Sequence, residues 1–405
     1  VEIPVQLVEQ HVISKSNPRY AAIDKAAFAS KNLYNAALYE IRQSFIHQGK
    51  YLYYNQMDKI MQKHEAYRAL PSKVSQQVLK LLDKNWKSFF AALEAYNKDP
   101  SQFLGRPKLP GYKDKTQGRN ILVYTIQALS KPALKRGIVK PSGLPIEIKT
   151  RHANIDQVRI VPRLGFYVVE VIYEQEPIQA EVDQKLYAGV DIGINNLAAL
   201  TSNKVGFIPC IVNGRPIKSI NQYYNKRRAV IQEQLGKDRY NSHRLDRLTN
   251  KRTRKIMHYM HTASRHIIDL LVEEGIGTLV IGKNPNWKQE VEMGKRNNQN
   301  FVQIPHARFI DLLTYKAKLV GVKVIITEES YTSKCSFLDM ESIEKHEQYA
   351  GKRIKRGLFR SSTGKKYNAD VNGSYNIIRK VAPDAFVQGS RGCVVHPLER
   401  VSIKY

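Results

Sequence analysis

The sequence feature that most restricts the fold is a series of short apolar segments in the second half of the chain, separated by helical segments. These apolar segments predict strands at Tyr187–Ile194, Leu197–Thr201, Phe207–Val212, Thr278–Ile281 and Lys323–Thr327. Two helical stretches, Gln222–Leu235 and about His243–Glu274, lie between the third and fourth strands and are separated at Gly236. Strands that alternate with helices are typical of an α/β domain built around a sheet.

The first part of the chain has a different pattern. Val5–Ser14 alternates as a strand does, and apolar residues then recur at helical spacing from Pro18 to about Tyr96. After the loop Gly105–Lys115, β-rich segments follow near Ile121–Ile126, Leu144–Ile148, Val158–Val161 and Phe166–Tyr173. The Pro-Arg-Leu-Gly sequence between the last two indicates a hairpin turn. A small β-barrel or sandwich with a helical insert accounts for these signals.

The charge balance indicates a polyanionic partner. The chain carries 65 Lys and Arg against 36 Asp and Glu, a formal net charge of +29, and such an excess repels itself unless a polyanion neutralises it. No apolar run approaches the ~18 residues that a membrane-spanning helix needs, and Val1–Gln10 lacks the features of a secretory signal. The composition therefore predicts a cytoplasmic protein that binds nucleic acid and does not enter a membrane.

Three basic regions are candidates for contact with nucleic acid: the loop after Gly105, the helical pair and a Gly-rich segment near residue 355. A single basic residue on a helix is as often simply exposed to water as it is bound to a partner. In the helical pair, however, few acidic neighbours lie at i, i+4 spacing to neutralise the cluster. The candidate contact residues are Arg106, Lys108, Tyr112, Lys113, Lys226, Arg227, Arg228, Lys251, Arg252, Arg254, Lys255, Arg353, Lys355 and Arg356.

An acidic residue inside an apolar strand is the strongest chemical signal. In Ala188–Thr201, AGVDIGINNLAALT, alternation places Gly189, Asp191 and Gly193 on one face. The two glycines leave room for a substrate backbone beside Asp191. A carboxylate in such a strand is costly unless it holds a metal or pairs with a cation. The alternative is that Asp191 accepts hydrogen bonds from a turn.

Asp370 supplies a second candidate carboxylate. In Asn368–Lys380, NADVNGSYNIIRK, Asp370 stands where a helix begins, and Val371, Ser374 and Ile378 follow at helical spacing. As the N-cap of that helix, Asp370 would stabilise the structure even without a catalytic role. Both interpretations stay open from the pattern alone.

These two segments carry a family resemblance. G-x-D-x-G-x-x-N-L-A at the start of a sheet and D-x-N-G-S-x-N-I near the end resemble the first and third RuvC motifs of TnpB proteins, the transposon-encoded relatives of type V CRISPR effectors. The chain length, the helical insert, the loop GRPKLPGYK and the basic helical pair are similar to the arrangement in that family. The resemblance extends over nearly the whole chain and is strongest from Tyr187 to Val381.

The resemblance implies a multidomain α+β fold. A wedge-like β-barrel domain would comprise residues 1–17 and 100–180, and a helical recognition insert would comprise residues 18–99. An RNase H-like (RuvC-like) α/β domain would occupy residues 181–384 and contain the basic helical pair at 213–275 and a loop at the zinc-ribbon position, 333–368. The tail at 385–405 has no periodicity and is a candidate for disorder.

The resemblance also implies an activity, the cutting of double-stranded DNA beside a short flanking motif, guided by an RNA from the transposon end. Three carboxylates would bind two Mg²⁺ ions, which activate a water molecule and stabilise the leaving oxygen. Base pairing would read the target sequence, while the protein holds backbones and reads the flanking motif. The oligomeric state stays open, with one protein molecule bound to RNA as the expectation.

The sequence departs from the family at the second RuvC motif. The glutamate of that motif falls at Asn284, which cannot replace it. The next strand ends at Glu328 and Glu329, and neighbouring strands lie about 4.8 Å apart. We therefore expect a glutamate from that strand to complete the site with Asp191 and Asp370, and Glu329 is the preferred candidate. Glu290 and Glu292 are the next acidic residues to consider.

A second departure is at the zinc-ribbon position, where the family has C-x-x-C pairs. Cys335 stands alone there, and Cys210 and Cys393 lie far from it in sequence. Since a tetrahedral zinc site needs four ligands, we expect no zinc and a metal-free basic loop.

Three functions from different classes are compatible with these patterns. They are a guided nuclease, a guided DNA-binding repressor whose nuclease site has decayed, and a transposase or resolvase that acts without RNA. The third fits least well, because the order of the carboxylates and the basic helical insert resemble those of the guided family.

Overall fold

The apolar residues collect into separate cores, one within Gln6–Gln175 and others within the residues from Glu176 onward, and these two parts form two compact units. The structure is a computed structural model that describes residues 4–236, 239–283, 303–386, 392–396 and 398–403. Within these ranges, no helix is long and apolar enough to cross a membrane.

The first unit contains an alternating strand, a long helical stretch and a second group of strands. Its elements are β1 (Val5–Ser14), α1 (Tyr20–Gln48), α2 (Tyr54–Met61), α3 (Glu65–Arg68), α4 (Ser72–Lys98), β2 (Leu122–Thr125), α5 (Lys131–Leu134), β3 (Ile138–Val139), β4 (Ile148–Lys149), β5 (Ile155–Arg163) and β6 (Phe166–Gln175). The strand Val5–Ser14 and the helical stretch after Pro18 were correctly predicted. The predicted strand Leu144–Ile148 is reduced to the short β4.

The strands of the first unit form a four-stranded sheet in the order β1-β6-β5-β2 and a separate β3-β4 pair. The predicted hairpin is confirmed, because Arg163 pairs with Phe166 around Leu164 and Gly165, and Gly165 has a φ of 82°. That left-handed conformation favours glycine. The edge strands β1 and β2 do not pair with each other, so the predicted barrel is not confirmed.

The helices of the first unit share one core with its sheet. Leu38 of α1 and Trp86 of α4 are fully buried in the same cluster as Leu122 of β2 and Val158 of β5. Each such side chain stabilises the fold by about 1.5–3 kcal/mol relative to an exposed position. The predicted insert 18–99 and the predicted domain 1–17 and 100–180 therefore share a core and do not have one each.

The second unit contains the predicted α/β pattern and several elements beyond it. Its elements are β7 (Asp183–Asp191), β8 (Asn196–Ser202), β9 (Cys210–Asn213), α6 (Arg215–Gln234), α7 (His243–Glu273), β10 (Ile276–Gly282), α8 (His306–Leu319), β11 (Lys323–Thr327), β12 (Lys352–Lys355), β13 (Leu358–Arg360), β14 (Lys366–Asn368), α9 (Ala369–Val381) and β15 (Glu399–Val401).

A six-stranded sheet in the order β11-β10-β7-β8-β9-β15 organises the second unit. Strands β7, β8 and β9 are antiparallel, whereas β10 runs parallel to β7 and β11 runs parallel to β10. The apolar stripe of α7, which includes Ile256, Ile267 and Leu271, is fully buried in the core below this sheet. The sheet thus brings the ends of β7, β10 and β11 to one edge.

Two predictions for this unit were wrong. The segment 333–368, predicted as a loop, contains the antiparallel sheet β12-β13-β14. The tail 385–405, a candidate for disorder, contributes β15, which pairs in parallel with β9. Both elements are short. The strands β12, β13 and β14 pair with their neighbours in sequence but are rich in lysine and arginine, whereas β15 pairs with a strand that is remote in sequence, so local patterns reveal neither element.

Candidate active site

Asp191 is the last residue of β7, at the point where the sheet meets α9. On the opposite face, Val190 is fully buried in the core. The two glycines beside Asp191 do not make room for a substrate, contrary to our expectation. A side chain at Gly189 would collide with the backbone oxygen of Ser374 in α9, and one at Gly193 would lie 2.8 Å from the backbone oxygen of Asn196. The chain itself therefore fills that space.

Helix α9 is fixed against β7 by its serine. The Ser374 hydroxyl donates to the backbone oxygen of Gly189 at 2.7 Å and lies 2.8 Å from the Thr201 hydroxyl. All three groups are buried, and buried polar groups need such partners. The close approach that Gly189 permits is thus a helix–sheet contact, which sets the distance between Asp191 and the residues of α9.

Asp370 is the second residue of α9 and is not its N-cap, so that part of the prediction was wrong. Asn368 is the N-cap, and its side-chain oxygen accepts from the backbone N–H groups of Asp370 at 2.8 Å and Val371 at 3.2 Å. The Asp370 carboxylate accepts from Asn196 Nδ2 at 2.6 Å and lies 3.7 Å from Arg353 Nη2. Because Asn368 performs the capping, the Asp370 carboxylate is available for other contacts.

Glycine at position 373 lets the Asp191 carboxyl group lie against α9. A Cβ atom at Gly373 would be 2.6 Å from Asp191 Oδ2, closer than real Cβ contacts. Gly373 follows Asp370 by three residues, so both lie on the same face of the helix. The motif D-x-N-G-S therefore supplies a carboxylate, the space for a second carboxylate and the hydroxyl that fixes the helix.

Glu328 and Glu329 point in different directions. Glu328 is exposed, accepts a hydrogen bond from the Ser330 hydroxyl and lies 3.8 Å from Lys380 Nζ. Glu329 is half-buried, and its Oε2 lies 2.7 Å from the place where a Cβ atom at Gly282 would be. Since Gly282 ends β10, between β7 and β11, the Glu329 side chain extends over the end of β10 into the vicinity of Asp191. The glutamate that we preferred is the one on the Asp191 side.

A strained turn positions Glu329. Tyr331 has a φ of 66°, a left-handed conformation that costs a residue other than glycine about 1–2 kcal/mol. The turn is held by backbone hydrogen bonds from Thr332 N to Glu329 O at 3.2 Å and from Cys335 N to Tyr331 O at 3.0 Å. Asn376 of α9 donates to the backbone oxygen of Thr332 at 2.9 Å. Helix α9 therefore supports the turn as well as carrying Asp370.

Burial and the two neighbouring carboxylates perturb Asp191 electrostatically. The pKa of Asp191 is raised well above its usual range, first by burial of its carboxyl group and then by the negative charges of Asp370 and Glu329, with Arg353 acting in the opposite direction. Burial raises the pKa of Glu329 to about 7, and Lys380 opposes the shift. Desolvated carboxylates that repel each other are the groups that a cation stabilises.

The acidic group fits a hard divalent cation by its chemistry, because Mg²⁺ prefers carboxylate oxygens. Among the described residues, no group of three His, Cys, Asp or Glu side chains is already arranged around one ion position. The carboxylates would have to move closer to bind a shared ion. Lys283 follows β10 and is exposed; Asn284, Glu290 and Glu292 lie outside the described residues.

Asparagines of α9 also hold the segment in which the family has zinc ligands. Asn372 and Asn376 each donate to the backbone oxygen of Cys335 at 2.8 Å, and Asn372 accepts from Phe337 N at 2.9 Å. The buried Cys335 thiol lies 3.6 Å from the backbone oxygen of Glu344. Hydrogen bonds from the D-x-N-G-S-x-N motif thus fix this segment.

Most of the predicted nucleic-acid contacts are exposed side chains, which are available to a partner. They lie in the loop before residue 113, on α6 and α7, and around the turn between β12 and β13. The exposed residues are Arg106, Lys108, Tyr112, Lys226, Arg227, Arg228, Lys251, Arg254, Lys255, Arg353, Lys355 and Arg356.

Lys113 and Arg252 differ from the others, because both are half-buried. The Lys113 ammonium lies 4.9 Å from the Tyr34 ring centroid, and burial lowers its pKa. Arg252 donates to Asn221 Oδ1 at 2.7 Å and packs 4.9 Å over the Tyr224 ring. Arg252 therefore connects α7 to α6, a structural role that the prediction of a nucleic-acid contact did not include.

Several residues of the site were missed by sequence reasoning. Asn196, which holds Asp370, and Gly373, which makes room for Asp191, both stand within the two quoted motifs, so the motifs contained a signal. Gly282 had no local signal, because its importance depends on a side chain from another strand. Asn368 was detectable as a capping residue two positions before Asp370.

Comparisons with known proteins show what the chain is similar to. The family model for OrfB of IS605, a probable transposase, matches residues 170–288, and the model for the Cas12f1-like TNB domain matches residues 306–377. The TnpB-like protein ORF457 of Acidianus two-tailed virus is 26% identical over 394 residues, covering 88% of this chain and 82% of that protein. The CRISPR-associated endodeoxyribonuclease Cas12f2 of Micrarchaeota archaeon (strain CG1_02_47_40) is 26% identical over 229 residues, covering 54% of this chain and 40% of that protein.

A solved structure shares the fold. The cryo-EM structure of a Cas12f1–sgRNA–target DNA complex matches with a TM-score of 0.52 and 14% identity, covering 88% of this chain and 81% of that chain. The chain therefore shares the multidomain α+β fold of that Cas12f1 structure. In sequence, the chain is similar to the OrfB family of IS605 and to a TnpB-like protein, so the predicted resemblance is confirmed.

Proposed function

We propose that the protein is an RNA-guided DNA endonuclease that cuts beside a short flanking motif, with Asp191, Glu329 and Asp370 as its catalytic carboxylates. The observation that carries the proposal is the convergence of Asp370 and Glu329 on the buried Asp191 carboxyl group, whose pKa is raised first by burial and then by these two charges. These three carboxylates come from separate chain segments that meet at the end of β7, which distinguishes them from an isolated acidic residue at a strand end. The order and directions of the sheet strands also support an RNase H-like nuclease domain.

Asp191, Glu329 and Asp370 would hold Mg²⁺, because their oxygens are hard ligands and their mutual repulsion would be relieved by a divalent cation. When bound, a pair of such ions supplies an activated water molecule and charge stabilisation at the phosphate. Asn196 holds Asp370 in place, and the Tyr331 turn holds Glu329. These positioning contacts would keep the ligands ordered in the resting protein.

Guide RNA and double-stranded target DNA are the proposed partners. The net charge of +29 and the exposed basic residues of α6 and α7 support a partner with many phosphates. The related Cas12f1 structure is a complex with sgRNA and target DNA. Base pairing with the guide would select the target sequence, and the protein would hold the backbones.

A second candidate function is a guided DNA-binding protein that does not cut. One observation favours it: in the described part of the chain, no three potential ligands already surround one ion position. Arg353, 3.7 Å from Asp370, would then act as a permanent internal counter-charge for that carboxylate. In this case the protein would repress transcription by occupying its target.

One experiment separates the two functions. The protein is purified with co-expressed transposon-end RNA and incubated with a plasmid library that carries the target beside randomised flanks, in Mg²⁺ and in a chelator. We expect Mg²⁺-dependent cleavage that Asp191→Ala and Asp370→Ala each abolish, while RNA and target binding persist, because affinity resides in distributed backbone contacts. Guided binding without cleavage by the wild type would instead support the repressor.

A further inference from the structure

A cavity of about 340 Å³ lies beside Asp370 and has not been assigned a role above. Four arginines, Arg215, Arg353, Arg356 and Arg400, contribute to its wall, together with the Asp370 carboxylate. This single carboxylate cannot neutralise four guanidinium groups, so the cavity is strongly positive. The four arginines are exposed, so their charges are solvated in the free protein and are accessible to an anion.

The four arginines come from separate parts of the second unit. Arg215 is the first residue of α6, whose first turn contains no acidic residue. Arg353 belongs to β12 and Arg356 to the turn that follows it. Arg400 lies in β15, where it pairs with Ile211 of β9. Because distant segments converge on one cavity, the arrangement is a property of the fold and is not a run of basic sequence.

The polar lining of the cavity also suits a phosphate group. The side-chain oxygen of Asn195 already accepts from Lys218 at 2.8 Å, which leaves its amide group as a donor. Guanidinium groups donate paired hydrogen bonds to phosphate oxygens, so the four arginines are suited to hold a phosphate group. The chemistry of the lining therefore favours a phosphate group over an uncharged, apolar ligand.

We propose that this cavity is a phosphate-binding subsite for the DNA strand that is cut, an assignment that rests on the proposed nuclease function. A phosphodiester held by Arg215 and Arg400 places the strand against Asp370 at the edge of the carboxylate site. Arg353 serves both sites, since it contacts Asp370 and lines the cavity. The strand β15, near the end of the chain, thereby contributes directly to substrate binding.

The test measures binding of a short single-stranded DNA oligonucleotide to the RNA-loaded protein. All proteins carry Asp191→Ala, so that the probe is not cut, and the bound RNA occupies the other basic surfaces. Arg215→Gln and Arg400→Gln are compared with Lys318→Gln, a matched loss of one positive charge at an exposed position on α8. Thermal unfolding of each variant establishes that it is folded.

We expect Arg215→Gln and Arg400→Gln each to raise the Kd about tenfold. The slope of log K against log salt should decrease by about 0.7 for each lost phosphate contact. Lys318→Gln should leave both quantities unchanged. Arg400→Lys should have a Kd between those of the parent protein and Arg400→Gln, because it keeps the charge and loses the paired hydrogen bonds. A probe with one neutral methylphosphonate linkage, and competition by inorganic phosphate, separate a backbone phosphate from free phosphate as the ligand.

The outcomes distinguish the subsite from the proposed activity. Folded arginine variants that bind the oligonucleotide as tightly as Lys318→Gln does would overturn the subsite, even if the wild type cuts guided DNA. Competition by millimolar inorganic phosphate, with no dependence on the oligonucleotide backbone, would also overturn it in favour of a free-phosphate site. A wild type that does not cut, combined with weakened binding by Arg215→Gln and Arg400→Gln, would remove the nuclease function and retain the subsite.

Discussion

The acidic group at the end of β7 and the basic helices α6 and α7 differ in how tightly their charged side chains are packed. Asp191 and Glu329 occupy space that the glycines at 373 and 282 leave open, whereas most basic side chains of α6 and α7 are exposed. Burial and the charges of the neighbouring carboxylates raise the pKa of Asp191. The exposed lysines and arginines are distributed over two helices and would add their effects nearly independently. Changes of a single atom should therefore matter in the first region, and changes of total charge should matter in the second.

The largest expected effect concerns the two adjacent glutamates after β11. Glu329→Gln should reduce guided DNA cleavage roughly 10³-fold, because it removes one ligand of the proposed metal site. Glu328→Gln should change the rate less than about twofold, since that side chain contacts Ser330 and Lys380. Single-turnover cleavage of a guided plasmid measures both. Equal rates for the two variants would remove Glu329 from the site.

A smaller loss is expected from Gly282→Ala, which adds one methyl group where Glu329 now lies. The displaced carboxylate should reduce cleavage by about 10²-fold, as a shift near 1 Å can do at a catalytic centre. The new methyl group would also meet Ile377 Cδ1 at 2.7 Å.

The double variant Gly282→Ala with Ile377→Val separates these two causes. Ile377→Val removes the Cδ1 atom and by itself should cost about 0.5–1.5 kcal/mol of stability. If the methyl group acts through Glu329, the double variant remains as slow as Gly282→Ala. Recovery of the rate in the double variant would show that the helix contact with Ile377 was responsible.

The pH dependence of stability in the metal-free protein sharpens the same contrast. The pKa of Glu329 is raised from 4.5 to about 7 in the folded protein, so the folded state binds its proton more tightly than the unfolded state does. Its contribution to stability is present below pH 4.5 and is lost as the pH rises to about 7. In chelator, Glu329→Gln should flatten this decline in Tm. An unchanged pH profile would contradict the burial of Glu329.

The smallest expected effects compare two adjacent residues of α7. Arg252→Gln should lower the free energy of unfolding by about 1–3 kcal/mol, because it breaks the contacts with Asn221 and Tyr224. Lys251→Gln, at an exposed position, should leave stability unchanged and slightly weaken RNA binding. Denaturant unfolding and salt-dependent RNA binding measure the two effects. The distinction between structural and solvated basic residues would be contradicted if Lys251→Gln lowered the free energy of unfolding, or if Arg252→Gln left it unchanged.

Local patterns predicted the elements that depend on local sequence. β1 and β11 have the predicted bounds, and α6 and α7 lie where the helical spacing indicated, on either side of Gly236. β12, β13 and β14 were missed because they are short, polar and rich in lysine and arginine. β15 was missed because its stability comes from pairing with β9, which is remote in sequence. Long-range pairing therefore explains the missed β15, and weak local β-propensity explains the missed β12, β13 and β14.

For the site, the motifs predicted Asp191 and Asp370 as candidates, and the geometry places them together. Their metal-binding role stays a prediction. Asn368 is the N-cap of α9, a role that we had considered for Asp370. Glu329 was preferred over Glu328 because it begins the turn into Ser330 and Tyr331, but the sequence alone could not reveal the space at Gly282 that accommodates its side chain. Contacts between strands that are distant in sequence determine that space.

The pairing of β15 with β9 also affects the order of events during synthesis. Asn213, at the end of β9, and Ser402, just after β15, are 189 residues apart. At typical ribosomal speeds of 5–20 residues per second, β9 emerges roughly 10–40 s before its partner. During that interval the edge of β9 is an unpaired strand in a nascent chain, a condition that promotes aggregation. Translation speed is therefore expected to influence the yield of folded protein.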